Sequence, residues 1–490
     1  MGALLTLAYA PFNYWWITPI ALTAALAVIF AQQNYSKTWL MGWFGLGWFG
    51  AGVSWVHVSI ADFGGLPLLA SIGLMAILCG YLALYPALAL KITTKLSTPP
   101  RWPLVLPLAW FFTEWLRSWV LTGFPWLSLG YSQLNSPLAG WLPVIGETGV
   151  SALIILVCAG NAQLLLRKRW LPMAIVFAIP FTSGYLLDQI NWTPLSGKTI
   201  QSAMVQGNIK QELRWVPEQD APTMRTYAEQ TLPLLGNELI VWPEAAIPKL
   251  ESLAQDYIHE IDQISAAHNS ALVTGIVNYN FETEQVFNNL IVLGKKDPQD
   301  SAGHYRYNHN NRFAKHHLLP IGEFVPFESV LRALAPIFDL PMSSFDRGDF
   351  QQRNLIANGY HIAPAICFEI AFPRQVRANL YPATDVILTV SNDAWFGRSH
   401  GPSQHMQIAQ IRAKELGLPV IRSTNNGISG YINHRGEIEA SIPQFERATT
   451  QHTIRLVKGT TPYRYFGDAS AWLIFLIFAA IAIWLDRRTS

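Results

Sequence analysis

Charge is scarce in this sequence. Asp, Glu, Lys and Arg together make up 13% of the residues, where a soluble globular chain carries about 25%. The charge that is present nearly cancels, leaving a formal +2. That balance excludes bulk electrostatic attraction to nucleic acid. Cysteine is scarce too, with only Cys79, Cys158 and Cys367. Three cysteines with no C-x-x-C pair exclude a disulfide framework, a zinc knuckle and a thioredoxin-type site. Internal repeats and low-complexity stretches are missing as well. What fills the chain instead is apolar: 51% of its 490 residues are hydrophobic. That length exceeds one ordinary domain. The apolar residues are also unevenly placed. Residues 1–190 and 468–486 hold long apolar runs, whereas the stretch between reads like a soluble protein. This predicts a helical membrane bundle over 1–190, a water-facing domain over 195–465, and a C-terminal transmembrane helix over 468–486.

A membrane-crossing helix needs about 20 mostly apolar residues. Seven segments qualify: 15–33, 39–60, 66–90, 103–121, 148–166, 170–187 and 469–486. An eighth run, Met1 to Ala10, is shorter. Lys and Arg fall on alternate links: Lys37, then Lys91, Lys95 and Arg101, then Arg167, Lys168 and Arg169, then Arg487 and Arg488. The links around 10–14, 56–65 and 122–147 carry neither residue. Basic links stay in the cytoplasm, so residues 188–467 are expected on the opposite face. Eight crossings with both ends cytoplasmic fit this pattern, and seven with an external N-terminus place the large domain on the same side. Glu114 and Arg117, three apart on one helix face, can pair. They read either as a head-group contact or as an ion pair at the bundle's polar surface. The glycines from Gly42 to Gly52 predict close helix packing.

After Asp188 the pattern changes. Short β-branched runs at 199–206, 238–242, 271–278, 288–294, 361–367, 384–391 and 419–423 alternate with helical patterns at 222–235, 251–268 and 403–416. Such alternation predicts an α/β sheet fold. In open α/β sheets chemistry gathers where strands end. Three strand ends carry reactive types: Trp242-Pro243-Glu244, Cys367-Phe368-Glu369, and Ser391-Asn392-Asp393. A loop adds Lys315, followed by His316, His317 and Glu323.

Each candidate has a plainer reading. A lone cysteine is often a small buried hydrophobe. Cys367, however, is the sole cysteine of a domain placed outside the cytoplasm, and it sits at a strand-to-turn boundary. A thiol of pKa about 8.5 needs a base or a nearby cation to react at neutral pH, and Glu and Lys supply these. Glu244 could instead cap a helix, and Lys315 could be solvated charge. His316 and His317 invite a metal, but adjacent histidines rarely converge on one ion, so neither metal nor cofactor is expected.

Together, Trp242-Pro243-Glu244, the Lys315 loop with Leu319-Pro320-Ile321-Gly322-Glu323-Phe324-Val325-Pro326, and Cys367-Phe368-Glu369 resemble the Glu–Lys–Cys signature of the nitrilase (carbon–nitrogen hydrolase) superfamily. With membrane segments on both sides, the whole chain is similar to the apolipoprotein N-acyltransferase family. Phe338-Asp-Leu-Pro-Met-Ser-Ser-Phe345, Ser391-Asn-Asp-Ala-Trp-Phe-Gly397 and Arg422-Ser-Thr-Asn-Asn-Gly427 add to the likeness.

The resemblance implies a nitrilase-like αββα sandwich inserted in a polytopic bundle of about eight helices. It implies Glu244 as general base, Lys315 as cationic stabiliser and Cys367 as nucleophile, with Glu323, Glu369, Phe368 and Trp215 in supporting or substrate-binding places. Many relatives carry Tyr where this chain has Phe368. It further implies a phospholipid acyl donor, a diacylated apolipoprotein acceptor and a Cys367 thioester. The setting it implies is a multi-pass bacterial inner-membrane enzyme whose catalytic domain faces the periplasm. Nothing in the sequence demands more than a monomer.

The apolar stretch 318–350, with Phe324, Phe327, Leu331, Leu334, Ile337 and Phe338, reads as an arm toward lipid or as ordinary core. Two rivals remain at this point: a membrane-anchored amidase or nitrilase that uses water as acceptor, and a transporter or receptor with an external sensing domain. Against the latter, only Glu114 and Arg117 appear as charged residues mid-span, where transporters place several.

Overall fold

The computed structural model describes residues 1–63, 67–213, 216–320, 322–324 and 345–489. The apolar segments form helices at Ile17–Ala31, Lys37–Gly52, Leu68–Leu96, Trp102–Arg117, Leu142–Leu166, Trp170–Asp188 and Ala469–Thr489. Among the described residues, four stretches are helical, long and apolar enough to cross a membrane: Leu68–Leu96, Pro137–Leu166, Trp170–Asp188 and Ala469–Arg488. Ile17–Ala31 is apolar but shorter.

Two segments differ from expectation. The helix expected over 148–166 begins at Leu142, running through a break at Gly146 (φ 67°). The segment expected over 39–60 stops being a regular helix at Gly52 and continues as short turns to Phe63. The first run folds as a 3-10 helix, Gly2–Ala8. At about 2 Å per residue it is shorter than a hydrocarbon core.

Small residues let these helices approach closely. A Cβ on Gly2 would lie 1.9 Å from the Phe44 carbonyl oxygen, and one on Gly45 would lie 2.8 Å from the Pro86 ring. The glycine-rich 42–52 stretch therefore packs against both neighbours. Glu114 and Arg117 do pair, at 3.6 Å, and both are buried. Arg117 also donates to the carbonyls of Phe124 and Trp126. The pair thus pins the 118–126 loop onto the bundle instead of facing a lipid surface.

Residues 195–457 fold into two six-stranded sheets. The first contains β1 (Leu195–Gln206), β2 (Leu239–Val241), β3 (Ala271–Asn280), β4 (Gln285–Gly294), β5 (Arg312–Ala314) and β12 (Ala448–Val457), in the order β12-β1-β2-β3-β4-β5. The second contains β6 (Leu355–Ala357), β7 (Tyr360–Ile366), β8 (Val386–Ser391), β9 (Val420–Thr424), β10 (Ser429–Ile432) and β11 (Ile438–Ile442), in the order β11-β10-β9-β8-β7-β6. β1–β2–β3 and β7–β8–β9 are parallel, and the outer pairings are antiparallel.

Strand alternation sorts side chains into layers. Met204, Val241, Leu290, Ile366, Leu388 and Ile421 fill the core between the sheets. Ala203, Val205, Ile240 and Leu272 face the other way, under the helices Pro217–Thr231 and Gln255–Ala267. The second sheet is covered by the helix Gly401–Leu416, whose Met406, Ile408 and Ile411 share one continuous core with the bundle residues Trp126, Tyr131, Val150 and Ile154. Four layers, helix–sheet–sheet–helix, result, and the last one abuts the membrane bundle.

Candidate active site

The site forms where strands of both sheets end. β7 stops at Ile366, and Cys367 adopts a left-handed φ of 54° before a 3-10 turn over Cys367–Ala371. That conformation is uncommon for a residue with a Cβ, and here it turns the side chain out of the strand. Parallel pairing of Ile366 with Val390 brings the next residue of β8, Ser391, alongside. Its hydroxyl lies 3.3 Å from Cys367 Sγ. From the opposite sheet, β2 runs through Trp242 and Pro243 to Glu244. Glu244 Oε2 accepts the backbone N–H of Asn392 at 3.0 Å, bridging the two sheets. Lys315 follows β5, and its N–H donates to the Asn288 carbonyl on β4 at 2.9 Å.

The three candidates therefore share one site, in which Glu244 and Lys315 are buried and Cys367 is half-buried. Lys315 Nζ lies 3.4 Å from Glu244 Oε1 and 2.8 Å from Glu323 Oε1. Asn288 Nδ2 donates to the same two oxygens, at 2.8 and 3.1 Å. Glu323 Oε2 accepts the Leu319 N–H at 2.8 Å. Lys315 is 1% exposed, which makes its surroundings decisive. Burial alone opposes its charge, but Glu244 and Glu323 outweigh that and hold its pKa well above the usual lysine range. Burial, with Glu244 nearby, pushes the Cys367 thiol up to about 12, while Lys315 pulls it down. The resting site therefore holds a thiol beside a cation. A thiolate forms only as its proton leaves.

Glu369 has a different place from the other acids. Its Oε1 accepts the N–H groups of His316 and His317 and the Gln375 amide, and its Oε2 accepts the Ile366 N–H. It ties the loop after Lys315 to the turn that carries Cys367. His316 and His317 diverge: His316 Nδ1 meets the Gly348 carbonyl, and His317 stacks on Phe372 at 3.7 Å. Phe368 is buried among bundle aromatics, 5.9 Å from Phe124 and 6.2 Å from Trp126, with Phe372 edge-on at 4.9 Å. Trp215 and residues 325–344, which hold most of the apolar 318–350 stretch, lie outside the described residues. Phe324 is described, and the Arg347 guanidinium sits over its ring at 5.1 Å.

Sequence reasoning missed Asn288 and His405. Asn288 had a readable signal, since Asn288-Asn289 interrupts an otherwise apolar strand and both are buried. It also passed over how the bundle meets the site. Ser59 donates to the Trp395 carbonyl, Trp55 packs edge-on to Phe396 at 4.7 Å, and Gln404 accepts from the indoles of Trp55 and Trp126.

Residues 1–160 match the family model described as apolipoprotein N-acyltransferase N-terminal domain, and residues 202–464 match that described as carbon–nitrogen hydrolase. The chain is 45% identical over 496 residues to the apolipoprotein N-acyltransferase of Vibrio cholerae serotype O1, covering 100% of this chain and 96% of that relative. Against the apolipoprotein N-acyltransferase of Pasteurella multocida it is 36% identical over 500 residues, covering 99% and 95%. Among solved structures, a CN-hydrolase superfamily protein from Xanthomonas campestris is 19% identical, with a TM-score of 0.36, over 52% of this chain and 91% of that one. A bundle and a catalytic half matched in order, with relatives alike from end to end, assign the whole chain: it belongs to the apolipoprotein N-acyltransferase family.

Proposed function

We propose that this enzyme moves an acyl chain from a membrane phospholipid to the N-terminal α-amine of diacylglyceryl-cysteine on apolipoproteins, through a thioester on Cys367. The observation that carries the reading is the meeting of Cys367, Glu244 and Lys315 in one site that abuts an apolar helical bundle. Glu244 takes the thiol proton as Sγ attacks the ester carbonyl. Lys315, with backbone N–H groups beside Cys367, stabilises the oxyanion. The lysophospholipid alkoxide leaves with the proton from Glu244, and the acyl group remains on sulfur. The lipoprotein amine then attacks the thioester. Glu244 accepts its proton and returns it to the departing thiolate, giving amide and free enzyme. Glu323 and Asn288 hold Lys315 and Glu244 in register, Glu369 fixes the two active-site loops to each other, and Phe368 seals the pocket toward the bundle. Trp215 is assigned to substrate binding.

The division into 1–190, 195–465 and 468–486 follows the same reading, as do a monomeric state and a multi-pass bacterial inner-membrane setting with the catalytic domain in the periplasm. Eight apolar segments make up the bundle. The first is too short to cross alone as a 3-10 helix, and the placement of the large domain does not depend on it. Both substrates are bilayer lipids. Extracting a chain into water costs about 0.8 kcal/mol per exposed CH₂, and a site held against the bundle avoids that cost.

The test is to incubate purified protein in mixed micelles with a phospholipid bearing a labelled acyl chain. Label on the Cys367 peptide, released by neutral hydroxylamine and absent in Cys367→Ser, is expected. Absence of label with every phospholipid, while small amides are hydrolysed, would replace this reading with an amidase.

A further inference from the structure

A buried polar network reaches the Cys367 backbone from the helix Gly401–Leu416 and the ends of β8 and β9. His405, on the helix Gly401–Leu416, is fully buried. Its Nε2 lies 3.1 Å from the Cys367 carbonyl oxygen, and its Nδ1 lies 3.2 Å from Asp393 Oδ1. Both partners are acceptors, so a neutral ring donates to one of them and only a doubly protonated ring to both; burial and Arg422 oppose that second proton, and Asp393 favours it. Asp393 is the anchor of the network: Arg422 donates to its Oδ2 at 2.6 Å and Ser391 donates to its Oδ1 at 2.6 Å. The ring is walled by Trp126 at 5.4 Å and Phe396 at 6.1 Å. Placing an imidazole, a carboxylate and a guanidinium in an apolar core is costly unless each is paired. Here the pairing ends on the backbone of the nucleophile.

The contact falls where geometry matters most. Cys367 sits at φ 54°, a conformation that persists only when its surroundings hold it. A donor on its carbonyl oxygen fixes the plane of the Cys367–Phe368 peptide and with it the direction of the side chain. Ser391 adds to this from the same network. Its hydroxyl lies within donating reach of both Asp393 Oδ1, at 2.6 Å, and Cys367 Sγ, at 3.3 Å, and so links the thiol to the network.

We propose that His405 is a positioning residue for Cys367. Through the Nε2 contact to the Cys367 carbonyl, with Asp393 and Arg422 bracing the ring, it holds the nucleophile in its left-handed turn. The inference rests on the reading of Cys367 as nucleophile.

Two amides separate the two contacts of the ring. His405→Gln keeps an N–H near the Nε2 position, and His405→Asn keeps one near Nδ1. The full-length protein in detergent would be assayed for acyl transfer and for the rate of Cys367 alkylation by iodoacetamide, with thermal unfolding alongside. Displacing a reacting group by about 1 Å costs on the order of 100-fold. His405→Asn is therefore expected to lose roughly 10- to 100-fold in kcat with KM unchanged and slower alkylation, while His405→Gln stays within about threefold of wild type. Equal kcat in the two variants would overturn the proposal, as would losses that track the melting temperature alone. Should the Asn variant fail to fold, a kcat reduced tenfold or more in a folded His405→Gln overturns it by itself. A Cys367→Ala control keeps the two claims apart: activity retained there sinks the nucleophile, whereas an inactive control beside a fully active His405→Asn sinks only His405.

Discussion

At the scale of residues, one cation faces two carboxylates and a thiol. Lys315 contacts Glu244 and Glu323 and is held protonated by them, so it is unable to act as the base. Cys367 is held as a thiol by burial and by Glu244, so it needs a base. Glu244 is the carboxylate proposed to supply one, because among the three acids it is the one whose charge bears on the Cys367 thiol, whereas Glu369 braces the 316–317 and 366 backbone. Glu244→Gln keeps the shape and the Asn392 contact and removes the basicity. General base catalysis contributes about 10²- to 10⁴-fold. The variant is expected to lose the single-turnover rate of Cys367 acylation in that range, and to melt lower, because its amide nitrogen faces the Lys315 and Asn288 donors that Oε1 accepted from. A loss below tenfold would move the base elsewhere. The residues themselves were legible in sequence because they punctuate strand ends. Asn288 carried a signal that was passed over, the Asn288-Asn289 pair inside an apolar strand, and His405 carried none, since a lone His on a helix is far more often structural.

At the scale of elements, legibility followed length and burial. The β1 to β4 and β7 to β9 stretches were readable because buried parallel or central strands run as apolar blocks. β5 and β6 escaped because each alternates buried and half-buried residues over only three positions, whereas the equally short β2 is buried throughout. β11 and β12 escaped because they expose polar side chains, and β10, though buried, because Ser429-Gly430-Tyr431-Ile432 is too short and mixed to read as an apolar block. The helix Gly401–Leu416 was readable, but its role was not. It looks amphipathic in sequence, yet most of its residues are buried because its polar side chains also find partners. Gln404 illustrates this: its Oε1 accepts from the indoles of Trp55 and Trp126, and its amide donates to the Gly52 carbonyl. Gln404→Leu is similar in size but strands three buried polar groups. Each unpaired group costs about 1–3 kcal/mol, so a marked fall in melting temperature in detergent is expected. An unchanged melting temperature would mean that water replaces the amide there.

At the scale of the whole molecule, the bundle and the catalytic sheets share a core, and their junction is electrically unbalanced. Arg412 lies between two buried carboxylates, Glu147 at 3.9 Å and Glu415, and one cation does not neutralise both. Burial pushes Glu415 up to about 8, with Glu147 adding to the effect and Arg412 opposing it. The folded pKa lies above the unfolded value, so this group's stabilisation is full below the unfolded pKa of about 4.3. It is lost progressively as pH rises through about 8. Wild type is expected to lose melting temperature between pH 5 and 8.5, and Glu415→Gln to lose less over that window. Equal slopes would mean that Glu415 is ionised throughout.

The same junction decides whether the catalytic half can stand alone. The first sheet carries its own cover, since Tyr227, Ile258 and Ile261 from two local helices pack on Ile240 and Leu272. The second sheet does not. Its covering helix buries Met406, Ile408, Ile411 and Leu416 in a cluster completed by Trp126, Tyr131, Val150 and Ile154 of the bundle. Cutting the chain at 195–465 leaves that apolar face in water, at about 25 cal/mol per Å² of uncovered surface, and removes Trp126 and Phe124 from beside Phe368. The fragment is expected to aggregate, or to require detergent, and to lack acyl transfer even with short-chain donors. Size-exclusion chromatography and thermal unfolding of the fragment against the full chain measure this. A soluble, cooperatively melting fragment would show that the bundle serves only to deliver lipid. Aggregation, with activity restored by co-expressing residues 1–194, would show that the bundle is also the missing wall of the active-site layer.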